Sequence, residues 1–273
     1  MSTERHTSLI STARAFVRMG CQATLSYPMS LVLSQLGNGV AVVSLFFLTR
    51  IVRDGPDVGH NYLTFVVLGM VGQNLVMSAI FGIGTEMDAA IQQGRLEMLL
   101  IEPIRWPIIP AGLALWPMIL SLWSSALTIG VGLALGVHLS LLGVVEAIPL
   151  AVVASVSGLA IGILAATVRI LAKRSDPVFL IYSVLSGLVA GISVPINVLP
   201  APLRALAWAL PTMYVSTGLR KLLMANPAGV YGPGALWATL ALAAAAVPLA
   251  ALAIVLFNRS VNVGRKLGVL AGY

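Results

Sequence analysis

The chain has 273 residues, of which 59% are hydrophobic and only 9% charged, with a formal net charge of +7 and a mean hydropathy of +0.98. A soluble domain carries about 25% charged residues, so this composition cannot clothe a water-facing surface and excludes a soluble globular fold. The apolar residues come in blocks rather than in the alternating segments of roughly ten residues that make a membrane barrel. What remains is an α-helical chain that crosses a bilayer, where backbone groups bond internally and one span takes about 20 residues.

In chain order, residues 1–27 hold Arg5, Arg14 and Arg18 but no compact apolar core with a cleavage site, so no cleaved signal is expected. Residues 8–27 predict an amphipathic helix. Leu9, Ile10, Ala13, Phe16, Val17 and Gly20 recur at helical spacing, and Ser11, Arg14, Arg18 and Gln22 fall on the other side. It reads either as a helix lying in the interface with its basic face toward headgroups or as a plain juxtamembrane leader. Pro28 breaks it before the first span. Apolar blocks then predict six spans near 29–49, 61–84, 108–136, 147–168, 178–195 and 234–257, one transmembrane domain over 29–257 between an N-terminal segment 1–28 and a tail 258–273. The linker 50–60 carries a turn signal in Asp54-Gly55-Pro56.

Two stretches do not read as spans. Residues 85–107 mix Glu86, Asp88, Arg95, Glu97 and Glu102 with Ile91, Leu96, Leu99 and Leu100, and are punctuated by Gly94, Pro103 and Pro107. They suit either a short helix docking into a groove of a soluble partner or a solvated connector. Residues 196–225 contain two short helical patterns bounded by Pro200, Pro202 and Pro211. These suit either a re-entrant pair, which needs protein or water around it at depth, or amphipathic helices lying flat. The expected fold is therefore an all-α polytopic membrane protein: six transmembrane helices, an N-terminal amphipathic interfacial helix and short re-entrant outer helices before the last span.

Lysine and arginine placement orients the chain. With the N-terminus in the cytoplasm, Arg5, Arg14, Arg18, Arg95, Arg105, Arg169, Lys173, Arg174, Arg259, Arg265 and Lys266 lie inside. Only Arg50, Arg53, Arg204, Arg220 and Lys221 lie outside, so both termini are expected in the cytoplasm. The basic residues flank spans instead of forming one patch, which points to lipid and not to nucleic acid.

Catalytic signals are weak. Cys21 stands alone, so no internal disulfide forms, and His6, His60 and His138 are scattered without metal-ligand spacing. The nine acidic residues fall in loops or at span edges, away from the midplane where ion-coupled transporters keep carboxylates. No GxxxxGK[ST] loop is present to cradle a nucleotide. Polar residues inside spans are Gln35 and Asn38 in the first and Gln73 and Asn74 in the second. They suit either a polar substrate path or hydrogen bonds between helices. Gly132 and Gly136, Gly158 and Gly162, and Gly187 and Gly191 have GxxxG spacing, which suits packing within one chain or between two copies.

At the two non-spanning stretches the chain resembles the ABC-2 type permeases, the membrane subunits of ATP-binding-cassette exporters. Gly94-Arg95-Leu96-Glu97-Met98-Leu99-Leu100 followed by Pro103 is similar to the family's G-x-L-E-x-L-L…P element between the second and third spans. A Gly-rich fifth span, then Pro195, Pro200, Leu203-Arg204, Pro211-Thr212-Met213-Tyr214 and Arg220, follows the family's order before its last span. The run Glu102 to Pro107 is more proline-rich than the family pattern.

The resemblance implies that a separate ATPase dimer binds ATP and Mg, while this chain binds no cofactor and is not itself catalytic. It implies coupling to that ATPase through Glu86, Asp88, Gly94, Arg95, Leu96, Glu97, Leu99, Leu100 and Pro103, and an outer gate at Pro195, Pro200, Pro211, Tyr214 and Arg220. A second membrane subunit, identical or paralogous, would complete the pathway in the cytoplasmic (inner) membrane. The cargo implied is an amphipathic small molecule, drug or lipid. The alternatives are a lipid-linked glycan or, on a different mechanism, ion-coupled secondary transport, for which no inverted repeat is visible.

Overall fold

The computed structural model describes residues 9–52, 62–92, 108–172 except 138, 176–224 except 193, 232 and 234–266. Within them the regular elements are α1 (Leu9–Ser26), α2 (Pro28–Val52), α3 (Tyr62–Gln92), α4 (Ile108–Ala134), α5 (Leu141–Ala172), α6 (Asp176–Val189), a single 3-10 turn (Ile196–Val198), α7 (Ala201–Ala209), α8 (Pro211–Leu223) and α9 (Ala235–Lys266).

The break between α1 and α2 is one residue, Tyr27, because Pro28 lacks an N–H and serves best as the first residue of a new helix. Along α1, Phe16 and Gly20 are buried while Arg14, Arg18 and Gln22 are exposed. The buried pair sits on the first turns of α4. The Phe16 ring fills the space a Cβ on Gly112 would need, and Trp116 does the same over Gly20. The Trp116 indole N–H donates to Thr24 Oγ1 at 2.6 Å.

Among the described residues five helices are long and apolar enough to cross a membrane: Pro28–Thr49, Tyr62–Met87, Ile108–Ala134, Leu142–Val168 and Ala235–Val263. The expected fifth span, 178–195, is shorter than its apolar run suggests. Helix α6 has 14 residues, about 21 Å at 1.5 Å per residue, against a hydrocarbon core of about 30 Å. Gly191, just past the helix end, has φ +75, a conformation that disfavours side chains, and Ile196 packs where its Cβ would be. Five of the six predicted spans are thus helices long enough to cross, while the described helix in the fifth, 178–195, has 14 residues.

Other boundaries also move. Helix α3 runs eight residues past the expected end of the second span, because 85–92 contains neither Gly nor Pro and Met87 is buried one turn beyond buried Ile83. Glu86 and Asp88 therefore belong to α3. Helix α9 continues to Lys266, well into the expected tail. Three interior prolines, Pro117, Pro149 and Pro248, are carried within α4, α5 and α9.

Contacts fix the relative directions. Pro117 packs at Gly82 and Val67 at Gly132, so α3 and α4 are antiparallel. Gly158 meets Val76 and Gly162 meets Ile83, so α5 runs parallel to α3. Phe179 fills the space over Gly84 and Ile192 lies against Gly69, so the chain from α6 onward climbs back along α3. Those 15 positions of α3 correspond to about 22 Å.

The core is layered along the bundle axis. At the near end, where α1 lies, Phe16, Met87, Ile109, Ile163, Ala166, Phe257 and Val261 cluster. The middle is built around Leu68, Leu75, Ile80, Leu150, Ala154, Leu219 and Leu242. The far end holds Val42, Leu63, Val67 and Val137, and beside it Val189, Ile192, Ile196, Ala207 and Met213.

The three GxxxG spacings have different fates. Gly158 and Gly162 lie in the α3–α5 seam of one chain, close against the Val76 and Ala79 carbonyls. In the other two, the second glycine is not on a helix face. Gly136 and Gly191 follow the last residues of α4 and α6 with φ +96 and +75, as left-handed turn residues after a helix end.

Candidate substrate path and outer element

The polar residues of the first two spans meet one serine-rich face of α4. Asn38 Nδ2 donates to Ser124 Oγ at 2.8 Å. Asn74 Nδ2 reaches Ser125 Oγ and the Ser121 carbonyl, both at 3.3 Å. Ser121, Ser124, Ser125 and Thr128 recur at the three- and four-residue intervals of one helix face, and all four are buried. Ser121 and Thr128 also donate back to their own helix, to the Met118 and Ser124 carbonyls.

These four hydroxyls were not singled out in the sequence, although the pattern Ser-x-x-Ser-Ser-x-x-Thr stands there openly. The structure thus brings Asn38 and Asn74 together on adjacent rungs of α4. Asn38 keeps an exposed residue surface, Gln73 is half-buried, and Gln35 holds its Oε1 buried with no hydrogen-bond partner. Helix α2 is otherwise peripheral: Leu33, Leu36, Val40 and Phe47 on its outer side are exposed.

The segment expected on the outer side is a hairpin of α7 and α8, joined at Leu210. Leu210 is extended (φ −93, ψ 125), and Pro211 begins α8. Pro200 precedes α7 in the same manner, and Pro195 precedes the 3-10 turn. The Tyr214 hydroxyl donates to the Trp208 carbonyl at 2.9 Å, and the two rings meet edge to face at 6.0 Å. Tyr182 of α6 and Thr212 share a hydrogen bond of 3.0 Å.

Arg220 is the most deeply embedded of the predicted gate residues, with 2% of its surface exposed. Its Nε donates to the Phe65 carbonyl at 2.9 Å and its Nη2 to the Ile192 carbonyl at 2.8 Å. The guanidinium carbon lies 3.4 Å from the Phe65 ring centroid, a cation–π arrangement. Gly69 makes this possible, since a Cβ there would strike Arg220 Nη2 and the Ile192 carbonyl. A buried cation needs such partners, because each hydrogen bond to a charged group is worth about 1.5–3 kcal/mol.

Of the residues expected to couple to an ATPase, Glu86 and Asp88 fall on the last turns of α3. Gly94, Arg95, Leu96, Glu97, Leu99, Leu100 and Pro103 lie outside the described residues. Among the described residues no three His, Cys, Asp or Glu side chains gather to hold a metal.

Comparison with known families gives a match over most of the chain. The model described as ABC-2 family transporter protein matches residues 39–262, from the middle of α2 to the last turns of α9. No curated protein matches the chain.

Proposed function

The chain belongs to the ABC-2 family of transporter proteins, and from that premise we propose that it is the permease of an exporter in the cytoplasmic membrane, driven by a separate ATP-binding subunit. The observation that carries this reading is the extent of the match, which runs from the middle of α2 through α3, α4 and α5 to the last turns of α9 rather than resting on one motif. The cargo we propose is an amphipathic small molecule, drug or lipid, because the spans are aliphatic and only 7% of residues are aromatic.

Six crossings are proposed. Helix α6 starts near the end of α5 and the chain lies beside Gly69 by Ile192, so α6 and its turn carry it from one end of the bundle to the other. Both termini then lie in the cytoplasm. The ATPase, holding ATP and Mg, docks on 85–107, with Leu99 and Leu100 as the apolar contacts and Glu86, Asp88, Gly94, Arg95, Leu96, Glu97 and Pro103 shaping the element. Helix α1 supports this docking because it is seated on Gly112 and Trp116, just after that element returns to the bundle.

The path lies beside α2. Asn38 is exposed on a peripheral apolar helix, and a polar amide there calls for a polar or aqueous neighbour. Gln35, Asn38 and Ser124 line the path, while Asn74 holds the α3–α4 seam with Gln73 beside it. A second membrane subunit, identical or paralogous, closes the path against the bare side of α2. The hairpin after Pro195, bounded by Pro200 and Pro211 and tied by Tyr214 and Arg220, forms the outer gate.

The test is a double substitution, Leu99→Asp with Leu100→Asp. Membrane insertion should be intact and ATP hydrolysis stimulated by this subunit should be lost. Unchanged transport in that variant overturns the coupling assignment.

A further inference from the structure

The two halves of the outer hairpin are held very differently, and we infer that α8 is a fixed post while α7 is a flap that swings on it. The post is tied to several other elements. Arg220 grips the α3 backbone at Phe65 and the turn at Ile192. Ser216 Oγ donates to the Ala190 carbonyl at 3.2 Å. At its end, Ser140 N–H donates to the Leu223 carbonyl at 3.0 Å, and Leu139 pairs with Met224. Gly72 admits the backbone of Ser216 to within 3.1 Å of where its Cβ would lie. Nine residues of α8 are buried.

The flap is held by fewer ties. Helix α7 is 9 residues long with one buried residue, Ala207, and a helix of that length is not stable by itself. Leu203, Leu206 and Trp208 are exposed. Its ends are Pro200 (φ −54, ψ 150) and Leu210 (φ −93, ψ 125), both outside the helical region and neither capped by a side chain. These are the hinges.

Two latches hold α7 closed. One is the Tyr214 hydroxyl on the Trp208 carbonyl. The other is Arg204 Nη2, which donates to the Asn197 and Leu199 carbonyls at 3.1 Å each. Arg204 leaves its Nε buried without a partner in this position, so the closed flap is not fully satisfied. The role of the motion in transport rests on the gate reading above. The motion itself does not.

The test is distance measurement between nitroxide pairs in full-length chain reconstituted into lipid nanodiscs, in a Cys21→Ser background that removes the one native thiol. Val145→Cys, exposed on the first turns of α5, is the reference. It is paired with Leu206→Cys on the flap or Leu222→Cys on the post. The 145–222 distribution should be narrow and the 145–206 distribution broad or bimodal. Tyr214→Phe should raise the open fraction of 145–206 severalfold and leave 145–222 unchanged, and Arg204→Lys should act in the same direction. Two equally narrow distributions that neither variant moves would overturn the flap, as would two that broaden together. If the flap moves but cross-linking it shut leaves transport intact, the gate reading fails and the flap stands.

Discussion

Replacing Gly158 by Ala probes the α3–α5 seam on which the bundle depends. A Cβ at this position would lie 2.5 Å from the Val76 carbonyl oxygen and 3.1 Å from Ala79 Cβ. Comfortable non-bonded separations are about 3.5–4.0 Å, so the helices must part by roughly 1 Å, a gap that forfeits a quarter to a half of each contact. Overpacking of this kind costs about 1–3 kcal/mol. The upper part of that range applies, because the obstruction is backbone and cannot rotate aside. Alanine returns about 1 kcal/mol through helix propensity, which leaves a net loss of about 2 kcal/mol. Gly130 in α4 supplies the control, since nothing lies within 4 Å of its Cβ position. There the same change should stabilise by about 0.5–1 kcal/mol. For a chain of this size 1 kcal/mol moves Tm by roughly 2–4 °C. Thermal unfolding in lipid-supplemented micelles should therefore lower Tm by about 4–8 °C for Gly158→Ala and raise it by about 1–4 °C for Gly130→Ala. Shifts of the same sign in both variants would refute the close seam.

Three further outcomes follow from other contacts. Arg220→Lys keeps the charge but loses the fork that reaches two carbonyls, so stability should fall by about 1.5–3 kcal/mol; an unchanged Tm would mean that the grip on Phe65 and Ile192 holds nothing. A double-mutant cycle of Asn38→Leu with Ser124→Ala should give a coupling of about 0.6 kcal/mol. If Asn38 also lines the path, Asn38→Leu should alter cargo preference, whereas a pure loss of folding yield assigns it to structure alone. Phe16→Ala should cost about 3 kcal/mol and unseat α1, so that tryptic cleavage after exposed Arg14 and Arg18 accelerates severalfold; an unchanged cleavage rate would contradict the seating of α1 on α4.

Most spans were legible because a run of about 20 apolar residues in low charge has one economical solution, a helix in lipid. The short α6 was not. Residues 178–196 are apolar almost throughout, and what ends the helix is a left-handed backbone at Gly191, which hydropathy does not register. At 85–92 the second span was expected to stop at 84, but α3 continues to Gln92 through Glu86 and Asp88, because helices readily extend into water. The serine face of α4 was present as spacing, but buried hydroxyls that bond their own helix leave little mark in an apolar run. Arg220 was expected from the sequence as a gate residue. Its partners were not, because they are the backbone carbonyls of Phe65 and Ile192, and no side-chain pattern encodes a carbonyl.

Gentle extraction of the chain from its own membranes tests the central claim most directly. An ATPase carrying a GxxxxGK[ST] phosphate loop should co-purify in fixed ratio with it, and should be lost when Leu99 and Leu100 are both replaced by Asp. Recovery of the chain without any such ATPase, or retention of the ATPase by the doubly substituted chain, would contradict the account.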